Sequence, residues 1–176
     1  MKKGFAIAAL VLALAAGCVK KGDVTERTPV GDLGAYGQTA VSVEVPDKVK
    51  DSAKHQQNLT NALVERLKKK GFDVVATDAA TMIVKVKVMD VDEGSSLAAG
   101  MTGGGDAKVA MSVDLVAQKE SKSLGSFDVT GNSKSNSHTS IGGVDTKAIE
   151  DRASTAMEAA ADQIADFLAS KRGAKN

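Results

Sequence analysis

The chain has 176 residues, of which 23 are basic and 22 are acidic, giving a formal net charge of +1. This balance excludes the broad positive surface of nucleic-acid-binding proteins and gives no strong attraction to an anionic bilayer. The chain has no Trp, one Tyr and four Phe, so it also lacks the aromatic platforms on which single-stranded nucleic acids stack. We expect one near-neutral domain that binds no nucleic acid.

The first eighteen residues have the pattern of a secretion signal. Two lysines precede an apolar run over residues 4–16, which is too short to span a bilayer comfortably, and Cys18 follows as the single cysteine. Residues 15–18, Ala-Ala-Gly-Cys, resemble the lipobox of bacterial lipoproteins, with Ala15 where Leu is commoner. The resemblance implies cleavage between Gly17 and Cys18 and a thioether-linked diacylglycerol on Cys18.

Two other interpretations fit the same residues: an ordinary secretion signal with an unmodified thiol, and a buried amino-terminal helix. Lipidation is the favoured one, and a lipidated Cys18 leaves the mature chain without disulfides or thiolate metal ligands. We expect a lipid anchor that holds the protein on a membrane of the bacterial cell envelope. Val19 stands where Asp would favour retention at an inner membrane, so we expect the outer membrane, facing the periplasm.

The chain divides into four segments. Residues 1–17 are the predicted signal peptide. Residues 18–38 contain Gly, Pro, Thr and charged residues without a period, which predicts a lipidated, flexible tether. A single domain is expected over residues 39–172, followed by a tail at 173–176.

The first predicted elements of the domain are a strand and a helix. Alternating valines predict a strand that ends at Pro46, and apolar residues at steps of three and four predict a helix over residues 52–70. Gly71 is placed to end this helix in the left-handed conformation. Phe72 would then contact Leu67, as in a Schellman motif.

Four more strands and a second helix follow. The strands are expected near Val74, over residues 82–88, over 107–117 and over 123–131, and the helix begins at Asp145 as its cap. The order β-α-β-β-β-β-α predicts an α+β fold. In this two-layer sandwich, a mixed sheet of about five strands carries two helices on one face.

Five segments carry a further resemblance: ALVERLKKKGFDVV, IVKVKVMDVDEG, GMTGGGDAKV, FDVTGNSKS and EDRASTAMEAAADQIADFL. Over residues 41–169 they resemble a family of uncharacterised bacterial lipoproteins with a domain of unknown function. In element order alone, the chain is distantly similar to the curli-secretion lipoprotein, the TolB amino-terminal domain and lipopolysaccharide-assembly lipoproteins. These resemblances imply an assembly or binding role in the envelope and bring no catalytic residues.

No pattern for catalysis or metal binding is found. His55 and His138 are expected on a helix surface and in a Ser-rich loop, without another His or Cys at ligand spacing. Asp90 begins an acidic segment, but Met101 stands where a calcium loop needs its final Glu. The glycines of residues 100–106 are not followed by the Lys of a phosphate-binding loop. We expect no enzyme, no cofactor and no metal.

Residues 94–105, GSSLAAGMTGGG, join two predicted strands and contain no charged side chain. An exposed loop is usually polar, so Leu97 and Met101 are candidate residues for contact with lipid or with another subunit. A Gly-rich hairpin that packs on its own sheet explains the segment almost as well.

These observations predict a membrane-anchored envelope lipoprotein that acts as a non-catalytic interaction or assembly module. Its partners would be the membrane, through Cys18, and a protein or a second copy of the chain. The alternative is a periplasmic carrier of a lipid or glycan, which needs an apolar cleft between the sheet and the helices.

Overall fold

The secondary structure follows the predicted order, with one strand added at the start. The computed structural model describes residues 24–92, 107–133 and 152–173. In these ranges the elements are β1 Val24–Thr28, β2 Gln38–Glu44, α1 Ser52–Lys69, β3 Asp73–Val74, a 3-10 helix Thr77–Ala79, β4 Met82–Asp92, β5 Lys108–Ala117, β6 Lys122–Asn132 and α2 Arg152–Lys171. The strands form one mixed sheet in the order β1-β6-β5-β4-β2-β3. The predicted α+β fold is confirmed, with six strands where about five were expected.

Parallel and antiparallel pairs both occur in the sheet. β2 is parallel to β4 and to the two-residue β3, so α1 forms a crossover between parallel strands. β4 pairs antiparallel with β5, β5 with β6, and β6 with β1. α1 packs on β2 and β3, α2 packs on β6 and β5, and the helices also pack on each other. Both helices therefore cover one face of the sheet, as predicted.

The core lies between this face and the helices. Alternate residues of β4, β5 and β6 are buried there, as the strand period of two requires. Its large side chains include Leu59, Leu63, Leu67, Val84, Val86, Met111, Val113, Leu115, Phe127, Val129, Met157, Ile164 and Leu168. The interface of sheet and helices is thus filled by packed side chains. The alternative function, a carrier of a lipid or glycan, would need an apolar cleft between the sheet and the helices.

The carboxyl end of α1 has the predicted Schellman geometry. Gly71 has a φ of +82°, which a residue without a Cβ adopts at little cost. Its N–H donates to the carbonyl of Lys68, and the N–H of Phe72 donates to the carbonyl of Leu67, both at 3.0 Å. Phe72 and Leu67 are both buried in the core. The hydrogen bonds and the apolar contact fix where α1 stops.

His55 is not on the surface, and that prediction is wrong. It precedes Leu59 by one turn and extends the buried stripe of α1, with 8% of the residue exposed. Residues four apart in a helix share a face, so the stripe places His55 with the apolar residues. Its Nδ1 atom has no hydrogen-bond partner among the described residues.

The segment that precedes β2 belongs to the domain. β1 pairs with β6, and the following residues Val30 and Leu33 are buried in the core. The N–H of Leu33 also donates to the carbonyl of Lys171 at 3.0 Å. The prediction of a tether over residues 24–38 is therefore wrong. It failed because β1 is an edge strand whose last four residues are all exposed, so its sequence shows no apolar alternation.

Glu26 fixes β1 against α2. Its carboxylate accepts hydrogen bonds from Lys171 Nζ at 2.7 Å and from the N–H of Val30 at 2.9 Å. The bond from Lys171, and then the bond from Val30, hold the pKa of the Glu26 carboxyl below its ordinary value. This side chain links the edge strand, the segment after it and the last turn of α2.

Candidate interaction surface

The face of the sheet opposite the helices is lined by charged and hydroxyl side chains. Strand register places them in two rows that cross β2, β4, β5 and β6, and Arg27 of β1 lies beside them. We call this surface the open face; its residues are Arg27, Ser42, Glu44, Lys85, Lys87, Ser112, Asp114, Ser126 and Asp128. They alternate along the strands with the core residues, because successive side chains point to opposite faces.

Arg27 joins the negative side of the open face. Its Nη2 donates to Ser112 Oγ at 2.6 Å and lies 3.1 Å from Asp114 Oδ1. Its Nε lies 3.0 Å from Asp128 Oδ1. One guanidinium is shared by two carboxylates, so within the two rows these three strands carry one negative charge in excess.

The positive side lies on β4. Lys87 Nζ is 2.9 Å from Glu44 Oε1 of β2. Lys85 is exposed, lies opposite Asp114 in the strand register, and has no ion-pair partner within the described ranges. Within the two rows, two lysines and one glutamate leave one positive charge in excess. The two rows of the open face therefore carry a positive and a negative stripe on neighbouring strands, and Asp90 and Asp92, beyond the bulge of β4, extend the same face outside these rows.

The ion pairs of this face contribute little to folding. Each partner is 42% to 65% exposed, and exposed pairs are typically worth up to about 1 kcal/mol. Substitutions on the open face should therefore change what the surface binds with little change in stability.

Apolar side chains flank the charged rows. Ala40 and Ile83 are opposite each other in β2 and β4 and form a small buried cluster with Ala80. Met89 lies at a β-bulge near the other end of β4 and is 52% exposed. The rows of charge thus have a buried apolar cluster on one side and, on the other, an exposed methionine at the bulge that precedes Asp90 and Asp92.

A groove of about 600 Å³ separates the solvent sides of α1 and α2. Arg66 of α1 lies in it, contacts Asp162 and Glu158 of α2, and is only 18% exposed. Lys70 pairs with Asp166 one turn further on, at 2.6 Å. These ion pairs join α1 to α2 across the groove, so we interpret the groove as part of the contact between the two helices.

The described ranges contain no group of three or more His, Cys, Asp or Glu side chains that could hold a metal ion. Neither α1 nor α2 is long and apolar enough to cross a membrane.

The predicted site residues Gly17, Cys18, Leu97 and Met101 lie outside the described residues, as does His138, so the structure leaves those predictions as they stand. The open face was missed as a site. Lysines that alternate with valines in β4 predict a solvent-facing side. Convergence of Arg27 with carboxylates of β5 and β6 depends on the strand order, and no local pattern reveals that order.

Comparisons with known proteins agree on the fold. A family model described as "Domain of unknown function (DUF4410)" matches residues 20–136. A PelC dodecamer from Paraburkholderia phytofirmans is similar at 12% identity and a TM-score of 0.54, over 86% of this chain and 99% of that one.

Protein XCC0632 from Xanthomonas campestris, described with the family DUF330, is similar at 11% identity and a TM-score of 0.55. The match covers 83% of this chain and 94% of that one. No curated protein matches the sequence. At these identities the two solved structures show a shared fold and nothing more specific.

Proposed function

Since the chain belongs to the family described as domain of unknown function DUF4410, the resemblance to such a family is confirmed, and we propose a function from the chain's own residues. The protein is a lipid-anchored, non-catalytic module of the bacterial envelope that assembles with protein partners, including copies of itself. It sits on the outer membrane and faces the periplasm. The observation that carries this proposal is the open face, whose exposed charged side chains are of both signs.

The anchor is supported by the signal pattern that ends at Cys18. We expect wild-type protein to carry a lipid-sized increase in intact mass and to sediment with outer-membrane markers in a sucrose gradient. Cys18→Ala removes the sulfur that the lipid needs, so at least about tenfold less of this variant should be found on membranes.

Val19→Asp is the matched control, because it keeps Cys18 and is expected to move the lipidated protein to the inner-membrane fraction. An unmodified wild-type protein that stays in the soluble fraction would contradict the anchor. Lipidated wild type in the inner-membrane fraction would contradict the location alone.

Self-association is supported by the arrangement of charge on the open face. Lys85 and Lys87 lie on β4, while Asp114 and Asp128 lie on β5 and β6. A second copy can pack face to face on this surface, related by a two-fold axis that runs parallel to the strands on the β5 side of β4. The lysines of each copy then lie over the aspartates of the other. PelC from Paraburkholderia phytofirmans, which shares the fold, is a dodecamer. The surface is therefore suited to contact with its own copy.

Lys85→Glu tests this contact. We expect the variant to dissociate at protein concentrations at least about tenfold higher than wild type, because the new carboxylate faces aspartates of the partner copy. The mass is measured by light scattering and sedimentation over a concentration series. Lys119→Glu is the matched control, since it makes the same charge change in the exposed β5–β6 turn.

A second variant separates the open face from the loop predicted from the sequence. If the double substitution Leu97→Glu and Met101→Glu lowers the mass while Lys85→Glu does not, the contact is made by the loop. Wild type that is monomeric at all concentrations, in detergent and on membranes, would refute self-association.

A further inference from the structure

The topology places several chain ends at one end of the sheet. Asp92 at the end of β4 is opposite Lys108 at the start of β5, and Lys108 is opposite Asn132 at the end of β6. β2 runs in the same direction as β4, but its last residue Glu44 is opposite Lys87 and so lies about 17 Å short of Asp92 along the strands. We call this the anchor-side end; its residues are Asp92, Lys108 and Asn132.

β1 connects the anchor to this end. Val24, its first residue, is opposite Val129, three residues before the end of β6. Val24 is therefore about 10 Å from the anchor-side end along the strand direction, at about 3.3 Å per residue. From Val24 to Lys122, where β6 begins after the turn at the other end, the distance along the strand is about 23 Å.

The chain between Cys18 and Val24 is short. Five residues separate them, so full extension spans about 20 Å and a flexible coil typically spans about 13 Å. This is enough to bring the anchor-side end to a membrane that holds the Cys18 lipid. The same chain is too short to let the opposite end of the sheet face the membrane. In that orientation it would have to span the distance of about 23 Å from Val24 to Lys122, and the length of the β5–β6 turn in addition.

We propose that the anchor-side end of the sheet faces the lipid surface and that the β5–β6 turn points away from it; this rests on the proposed lipid anchor. Exposed Met89 lies near this end of β4, where an apolar side chain can meet the bilayer interface. The orientation follows from the length of the tether.

Single fluorescent labels test the orientation. The lipidated full-length protein is purified from membranes and reconstituted in phosphatidylcholine–phosphatidylethanolamine vesicles that contain lipids with nitroxide headgroups. In lipidated protein the Cys18 sulfur is a thioether, so an introduced cysteine is the only free thiol. Lys108→Cys and Asn132→Cys place labels at the anchor-side end, at exposed positions on two neighbouring strands. Lys119→Cys places the control label in the β5–β6 turn.

We expect the headgroup nitroxides to quench the two anchor-side labels at least about twofold more than the Lys119 label. Equal quenching of all three labels, or stronger quenching at position 119, would overturn the orientation while leaving the anchor intact. Strong quenching at only one of the two anchor-side labels would also overturn it, because the domain would then lie on its side. Protein that does not stay on the vesicles would overturn the anchor as well.

Discussion

Gly131→Ala is expected to lower the free energy of unfolding by about 3 kcal/mol. Gly131 lies in β6 where α2 crosses the sheet. A Cβ atom at this position would overlap the carbonyl oxygen of Ala156 and lie 2.9 Å from the backbone nitrogen of Ala160. Both atoms belong to the helix backbone, so no side-chain rotation relieves the clash. Helix and strand would have to separate, and the packed core between them would open.

Thermal and urea unfolding followed by circular dichroism measure this effect. A loss of about 3 kcal/mol corresponds to a fall in Tm of roughly 10 °C for a domain of this size. Gly37→Ala is the matched control, because nothing lies within 4 Å of its added Cβ, and it should change stability by less than about 0.5 kcal/mol. If both variants unfold at the wild-type temperature, the result would contradict the close approach of the α2 backbone to β6 at Gly131.

Gly131 also shows where sequence reasoning stops. A glycine inside a strand is a recognised sign of close backbone approach, and the alanines of α2 favour a helix that lies near the sheet. Nothing in either segment shows that Gly131 faces Ala156. That pairing follows from strand order and helix placement, which are set by contacts between distant parts of the chain.

Where a local pattern is strong, the structure agrees with the sequence. Period-two valines predict β4, period-four leucines predict α1, and Gly71 predicts the end of that helix. β1 has no such pattern, because a strand at the edge of a sheet keeps its polar side chains in water. His55 was misplaced for a related reason: a single polar residue at the end of an apolar stripe is compatible with either face of the helix.

A chain that begins at residue 39 is expected to lose more than about 5 kcal/mol of stability and to be largely unfolded at room temperature. Removal of the preceding segment takes Val30 and Leu33 out of the core, and Leu33→Ala alone should cost about 3 kcal/mol. The last turn of α2 also loses the ion pair of Lys171 with Glu26. A domain of this size has a total stability of about 5–15 kcal/mol, so the loss is comparable to the whole.

The matched control begins at residue 24 and keeps every described contact of β1. It should unfold cooperatively at the temperature of the full mature chain, as followed by circular dichroism and by the dispersion of amide signals in NMR spectra. If the chain that begins at residue 39 melts at the same temperature, residues 24–38 are a tether after all. The domain could then lie anywhere within the reach of some twenty flexible residues, and the proposed orientation on the membrane would be lost. The stability of this short edge strand therefore decides how closely the proposed lipid on Cys18 could hold the sheet.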